Sequence, residues 1–213
     1  MLVKCILFDL DGTLTDSEEG IIRSIQYALA SFGIDEKAEN LKEFLGPPAH
    51  IAYQKYYGFS EEQAALAVEK YRERFSVTGI YENRLYNGIP ELLGKLTQDG
   101  KILAIATSKP LVYTEIILKH FGIEHYFTEV VGSTMDGSFC DKSEIVAEAL
   151  RRCGVDKSEC IMVGDRRYDI IGAKDNGIKS IGALYGYGSR EELSEAGADF
   201  IVENVGDIYD IVK

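Results

Sequence analysis

The stretch Cys5-Ile6-Leu7-Phe8-Asp9-Leu10-Asp11-Gly12-Thr13-Leu14-Thr15 decides the fold. The apolar run at residues 2–7, which leads into this stretch, predicts a buried strand. Asp9 and Asp11 follow where that strand ends, and Gly12 permits a sharp turn after them. Carboxylates at the carboxyl end of a parallel strand lie where open α/β sheets bind their ligands. The alternative interpretation is an ordinary acidic turn, because Asp-Gly is a common turn dipeptide.

The composition is that of an ordinary globular protein, with 46% hydrophobic and 27% charged residues among 213. A net charge of −12 argues against nucleic acid as a partner, since binding its phosphates takes clustered Lys and Arg. The amino terminus does not resemble a signal peptide, and no apolar run has bilayer-spanning length. The four cysteines lack CxxC spacing and are expected to be reduced. We expect a soluble cytoplasmic protein with no membrane partner, and leave monomer or dimer open.

A helical block follows the first strand. From about residue 16 to residue 83, apolar residues recur at helical spacing and no good strand pattern occurs. One helix start, Ser60-Glu61-Glu62-Gln63, is typical of a capping box. We therefore predict an inserted helical bundle at 16–84 and a core domain made of 1–15 and 85–213. In the alternative arrangement these helices pack directly on the sheet.

Strands and helices alternate after residue 85, which predicts an α/β fold with a doubly wound parallel sheet. Polar residues follow four of the predicted strands, at the strand end or in the next loop and helix start. These four groups are Asp9/Asp11, Thr107/Ser108, Lys142 and Asp165/Asp169. Because carboxyl ends of parallel strands share one edge of a sheet, we expect the four groups to form one site.

The string FDLDGTLTD at 8–16 resembles the first signature of the haloacid-dehalogenase (HAD) superfamily of phosphohydrolases. The other three groups match the remaining motifs of that superfamily in chain order, with Ile161-Met162-Val163-Gly164-Asp165-Arg166-Arg167-Tyr168-Asp169 as the fourth. The resemblance covers the entire chain and is nearest to phosphoglycolate phosphatases and the bacterial 5′-nucleotidase-like group. It implies a Rossmann-like core whose helical insert acts as a cap.

The resemblance assigns different roles to the two carboxylates of the first motif. Asp9 would be the nucleophile that forms an aspartyl phosphate, a use for which an ionised carboxylate is suited. Asp11 would protonate the leaving oxygen and later take a proton from the attacking water. The dehalogenase branch lacks this second Asp, so its presence favours phosphate over halide chemistry.

Two further motifs would bind the phosphoryl group. By resemblance Thr107 is a phosphate ligand, and we expect it with Ser108 at a helix N-terminus, where free N–H groups bind anions. Ser108 stands where the family often has Asn, and simple N-capping by Ser108 is the alternative. Lys142 would neutralise phosphoryl oxygens and hold Asp9 in place. Lys109 is the other candidate for this role, but it is expected at the mouth of the site.

Acidic residues at strand ends, without His or Cys, suit Mg²⁺, a hard cation that prefers oxygen. The resemblance assigns carboxylates of Asp9 and Asp165 and the backbone carbonyl of Asp11 as metal ligands. It assigns Asp169 to support of the metal-bound waters. Arg166 stands where many relatives carry Ser, and the sequence leaves its orientation open.

The substrate-reading loop of the relatives falls at Gly46-Pro47-Pro48 in this chain. No Arg lies in that loop, and His50 is one of the few nearby cation candidates. Gly46, Pro47 and His50 are therefore the predicted specificity residues of the cap.

The leading hypothesis is a Mg²⁺-dependent phosphatase that hydrolyses a small phosphomonoester through an aspartyl-phosphate intermediate. Phosphoglycolate and 5′-nucleotides are the expected substrates. The alternatives are a phosphosugar mutase of the β-phosphoglucomutase type and an inactive binding protein of the same fold. All four motifs carry competent residues, which favours an enzyme.

Overall fold

In a computed structural model of the protein, which describes residues 2–213, the chain divides into two compact units. The larger unit comprises the chain up to Thr15 together with Leu85–Lys213, and the smaller unit is Asp16–Arg84. Among the described residues, no helix is both long enough and apolar enough to cross a membrane.

The larger unit is built on a parallel sheet. In chain order the strands of the protein are β1 (Cys5–Phe8), β2 (Thr15–Asp16), β3 (Arg84–Leu85), β4 (Ile102–Pro110), β5 (Glu129–Ser133), β6 (Cys160–Gly164), β7 (Lys179–Ala183) and β8 (Phe200–Val202). Six of them form one sheet in the order β5-β4-β1-β6-β7-β8, while β2 and β3 pair with each other. The pairs of the large sheet are all parallel. The strand order reverses at β1, where ligands of doubly wound sheets bind.

The helices fall into both units. The smaller unit contains α1 (Glu18–Ala30), α2 (Ala49–Tyr57) and α3 (Glu61–Phe75), and the larger contains α4 (Ile89–Gln98), α5 (Leu111–His120), α6 (Lys142–Cys153), α7 (Arg167–Asp175), α8 (Arg190–Ala196) and α9 (Asp207–Val212). Within residues 2–213, four 3-10 helices lie at Ala38–Phe44, Gly79–Tyr81, Glu124–Tyr126 and Lys157–Glu159. The predicted fold class, an α/β protein with a doubly wound parallel sheet, is confirmed.

The first strand is buried on both faces, as its continuous apolar sequence indicated. Cys5 and Leu7 pack into a core cluster with residues of α6 such as Ile145 and Val146. On the same strand, Phe8 makes an edge contact with Phe127 at a centroid distance of 6.5 Å. The end of β1, and hence Asp9, is therefore held firmly in the centre of the sheet.

The smaller unit has its own aromatic core. Phe44 packs edge-on against Tyr53, and Tyr53 stacks on Phe59. The predicted capping box is present: Ser60 Oγ accepts from the backbone N–H of Gln63 at 3.2 Å, and Gln63 Oε1 accepts from the backbone N–H of Ser60 at 3.0 Å. This unit therefore has the packing and helix-start features of an independent bundle.

One local prediction was wrong. Thr107 and Ser108 do not lie at a helix N-terminus, because β4 continues to Pro110 and α5 begins at Leu111. Pro110, not Ser108, is the N-cap residue. The physical reason is that a residue before proline is driven out of the helical region into extended backbone. The strand pairing with β5 shifts register between Thr107 and Pro110, which makes this strand end irregular.

Candidate active site

The strands bring Asp9 and Asp165 to the same edge of the sheet. Asp9 follows β1, Asp165 follows β6, and the two strands pair in register with Phe8 opposite Val163. The backbone N–H of Asp9 donates to the carbonyl of Val163 at 2.9 Å, which extends the pairing to the carboxylate-bearing residue. Asp9 and Asp165 are both buried. The centre of the sheet therefore places two carboxylates side by side.

Lys142 lies in the first turn of α6, and its ammonium reaches this edge of the sheet. Asp141 caps the helix, since its Oδ1 accepts from two backbone N–H groups of the first turn. The Lys142 ammonium lies 2.8 Å from Asp9 Oδ1 and 2.7 Å from Asp169 Oδ1. It also donates to the carbonyl of Ala106 at 3.0 Å. Lys142 thus contacts Asp9, where its predicted role requires it.

Asp169 lies in the first turn of α7 and points back towards β6. Its Oδ2 accepts from the backbone N–H of Arg166 at 3.0 Å. A Cβ on Gly164 would collide with the Asp169 carboxyl group. Glycine at position 164 therefore allows this carboxylate to approach the strand.

The three buried carboxylates fit a hard divalent cation. Asp9, Asp165 and Asp169 each offer one oxygen, and these oxygens all lie within 4.8 Å of one another. The donor set contains only carboxylate oxygen, which suits Mg²⁺. Electrostatics gives a second indication. Among the described residues, the ion pairs of these three carboxylates are those of the Lys142 ammonium, which contacts Asp9 and Asp169.

The pKa shifts reflect the same excess of negative charge. Burial raises the pKa of Asp9, Lys142 opposes that rise and the neighbouring Asp169 adds to it, so that the pKa lies at about 6. Burial, and then the charges of Asp169 and Asp9, raise the pKa of Asp165 well above its usual value. Burial alone would lower the pKa of Lys142, but the two carboxylates outweigh it and raise that pKa. A bound cation would relieve the repulsion among the carboxylates.

Asp165 is oriented by a loop that the sequence did not single out. The backbone N–H of Tyr187 donates to Asp165 Oδ2 at 2.8 Å, and Thr13 Oγ1 donates to Asp165 Oδ1 at 3.1 Å. Tyr185 Oη in turn donates to the carbonyl of Thr13 at 3.0 Å. A Cβ on Gly186 would collide with Gly12 and Asp165.

The only sequence signal for this loop is the alternation Tyr185-Gly186-Tyr187-Gly188, which begins two residues after the end of β7. Glycines in such a segment indicate that another part of the chain packs closely against its backbone. Such a pattern gives no indication of which side chain it approaches, so the contact with Asp165 could not be predicted.

Asp11 is paired separately from the other carboxylates. Its Oδ2 lies 2.6 Å from the ammonium of Lys109. Lys109 was expected at the mouth of the site, and this prediction was wrong because its side chain is only 5% exposed. The Asp11 side chain is 19% exposed. A Cβ on Gly12 would overlap the Asp165 carboxylate, so the backbone just after Asp11 lies against the acidic cluster.

Thr107 lies at the same strand end as these groups. It is buried, it directly follows Ala106, and its Oγ1 accepts from the backbone N–H of Lys109 at 3.3 Å. Ser108 is half-buried in the irregular end of β4. Their roles as phosphate ligands remain predictions.

Arg166, whose orientation the sequence left open, is buried and held by α8. Its Nε lies 2.9 Å from Glu192 Oε1, which also accepts from the backbone N–H of Arg167 at 2.9 Å. Arg166 therefore links the loop that carries Asp165 to the rest of the larger unit.

The predicted specificity residues lie in the smaller unit, before and within α2. Gly46 has a positive φ of 118°, a conformation that favours glycine. Pro47 follows it, and His50 is an exposed residue in the first turn of α2. Their part in substrate selection remains a prediction.

The fold and the acidic edge define a class, the doubly wound α/β proteins with a carboxylate-lined site where the strand order reverses. The chain belongs to the haloacid dehalogenase-like hydrolase family, whose sequence profile matches residues 6–183. This confirms the resemblance based on the four motifs.

Characterised relatives differ in their stated activities. A 5′-nucleotidase of Pseudomonas aeruginosa is 49% identical over 189 residues, which are 88% of this chain and 86% of the relative. Tyrosine-protein kinase PtkA of Mycobacterium tuberculosis is 38% identical over 90% of this chain and 66% of the relative. A phosphoglycolate phosphatase of Vibrio cholerae is 29% identical over 99% of this chain and 97% of the relative.

Among solved structures, a protein from Clostridium acetobutylicum described as a predicted phosphatase matches with a TM-score of 0.96. It is 44% identical, and the match covers 100% of this chain and 99% of that protein. The prediction of a HAD-type phosphatase is confirmed by the family and by the relatives named as 5′-nucleotidase and phosphoglycolate phosphatase.

Proposed function

We propose that this protein is a Mg²⁺-dependent phosphatase that hydrolyses small phosphomonoesters through an aspartyl phosphate on Asp9. One observation carries the proposal: Asp9 lies at the carboxyl end of the central strand, 2.8 Å from Lys142 and within a cluster of three buried carboxylates. A buried carboxylate beside an ammonium is poised to attack an electrophile whose negative oxygens that ammonium stabilises.

The reaction has two half-reactions. In the first, a carboxylate oxygen of Asp9 attacks phosphorus, the bond from phosphorus to the ester oxygen breaks, and Asp11 gives its proton to the leaving oxygen. In the second, Asp11 takes a proton from water, whose oxygen attacks phosphorus. The bond from phosphorus to Asp9 then breaks, which releases inorganic phosphate and restores the Asp9 carboxylate and the protonated Asp11.

The remaining residues of the site bind and neutralise the phosphoryl group. Lys142 keeps Asp9 oriented and stabilises charge on the phosphoryl oxygens, and the Thr107 hydroxyl donates to one of them. Asp9, Asp165 and the Asp11 carbonyl would hold Mg²⁺, with Asp169 supporting its waters. When bound, the cation supplies Lewis-acid stabilisation of the phosphoryl oxygens and offsets carboxylate repulsion.

The substrate class is proposed from two relatives. The 5′-nucleotidase at 49% identity favours a 5′-nucleotide, and the phosphoglycolate phosphatase supports a small phosphorylated acid. The helical unit Asp16–Arg84 is proposed to act as the cap of the site, with Gly46, Pro47 and His50 as specificity residues. A cap of this kind excludes water and selects substrate.

The test is a screen of the purified protein with Mg²⁺ against nucleoside 5′-monophosphates, phosphoglycolate and hexose phosphates. Inorganic phosphate and the dephosphorylated product are both quantified. Release of phosphate equal to product supports a hydrolase, and Asp9→Asn serves as the inactive control. Conversion of a hexose phosphate to its isomer without phosphate release would instead identify a mutase, and tyrosine phosphorylation from ATP would identify a kinase.

A further inference from the structure

We infer that Lys109 is a positioning residue for proton transfer, which holds the Asp11 carboxylate in the orientation from which it exchanges protons. The inference rests on the proposed phosphatase function and deepens it. The reacting proton belongs to Asp11, so Lys109 acts through that carboxylate.

The contact itself is short and shielded. Lys109 Nζ lies 2.6 Å from Asp11 Oδ2, and the two residues are 98 positions apart in the chain. The Lys109 side chain is 5% exposed and that of Asp11 19%. Exposed ion pairs fix a side chain weakly, whereas shielded ones are screened little and hold their geometry.

The local backbone directs Lys109 towards Asp11. The pairing of β4 with β5 shifts register between Thr107 and Pro110, and the Lys109 N–H donates to Thr107 Oγ1 at 3.3 Å. Gly132 of β5 packs so closely that a Cβ there would lie 2.8 Å from the Lys109 carbonyl oxygen. Irregular strand ends of this kind re-aim side chains and occur next to active sites.

The two buried lysines serve different carboxylates. Lys142 contacts Asp9 and Asp169, while Lys109 contacts Asp11. Each carboxylate with a proposed covalent or proton-transfer role therefore has its own ammonium.

Loss of Lys109 should therefore impair the steps that use Asp11 and spare the step that does not. With p-nitrophenyl phosphate, Asp9 attacks phosphorus and the nitrophenolate leaves with the bond electrons, without needing a proton. The second half-reaction still requires Asp11 to take a proton from water. An alkyl phosphate needs Asp11 in both half-reactions.

The experiment is stopped-flow kinetics of the Mg²⁺-loaded full-length protein with p-nitrophenyl phosphate. Lys109→Met should show a burst of about one nitrophenolate per active site, then a steady state slowed about 10- to 100-fold. Because the phosphorylation step is spared, kcat/KM should stay nearly unchanged, and KM should fall together with kcat. Lys109→Arg should restore part of the steady-state rate. Lys119→Met, an exposed lysine of α5, is the matched control and should behave as the wild type.

A double-mutant comparison separates positioning from other roles. If Lys109 acts through Asp11, adding Lys109→Met to Asp11→Asn should cause little further loss. Equal losses in both backgrounds, or a raised KM without a burst, would overturn the inference and leave the phosphatase function intact. If Lys109→Met does not fold, the same comparison is made with Lys109→Gln. A wild-type protein that releases no phosphate from any monoester would overturn the proposed function, and this inference with it.

Discussion

The ammonium of Lys142 lies 2.8 Å from Oδ1 of Asp9, although 133 positions separate the two residues in the chain. The same ammonium contacts Asp169 at 2.7 Å. Lys142 is therefore the contact through which α6 stabilises two of the three carboxylates at the edge of the sheet. The consequences for stability and for catalysis can be tested separately.

Replacement of this lysine should lower the free energy of unfolding. Lys142→Met leaves two buried carboxylates without their ammonium, and breaking a buried ion pair costs about 3–5 kcal/mol. Urea unfolding without added metal measures the change. Lys142→Arg should lose less stability, because it keeps the charge. If Lys142→Met had the same free energy of unfolding as the wild type, the contact would not contribute to stability.

Asp9→Asn should lower turnover by at least about 10³-fold, because the amide is not a nucleophile for phosphorus. Phosphate release from the best substrate of the screen measures the loss, and radiolabelled substrate should no longer label the protein. Asp210→Asn, at an exposed position in α9, is the control and should keep full activity. Near-normal turnover of Asp9→Asn would contradict the covalent mechanism.

Removal of divalent metal should abolish turnover, and Mg²⁺ should restore it. The same ion should raise the melting temperature in the absence of substrate, because it offsets repulsion among Asp9, Asp165 and Asp169. Thermal unfolding with and without Mg²⁺ gives this shift, and Asp165→Asn should reduce it. Turnover that survives EDTA unchanged would argue against the metal.

Gly186→Ala should disturb Asp165 through packing alone. The added Cβ would collide with Gly12 and the Asp165 side chain, and overpacking of this kind costs about 1–3 kcal/mol. Chemical unfolding gives the stability change, and Mg²⁺ affinity, followed by calorimetry, should fall with it. Gly206→Ala is the matched control, since a Cβ there has no atom within 4 Å. Equal effects of the two variants would contradict the assigned packing.

Much of the fold could be predicted because its signals are local. The apolar run of β1, the alternation of strands and helices, and the Ser60–Gln63 capping box depend on neighbouring residues. The end of β4 could not be located, because its extension to Pro110 depends on pairing with β5 as well as on local preference. Likewise, the Tyr187 contact to Asp165 involves a backbone N–H, which no side-chain pattern identifies.

The same distinction between local and tertiary signals applies to the site. Local strings were sufficient to identify Asp9, Asp11, Asp165 and Asp169 as candidates, because those strings resemble motifs of the superfamily. The resemblance led us to expect Lys142 beside Asp9, whereas the pairing of Lys109 with Asp11 emerged only from packing. The physical reason is that ion pairs between residues about a hundred positions apart depend on strand register and helix placement, and neither is encoded within a few residues of the lysine.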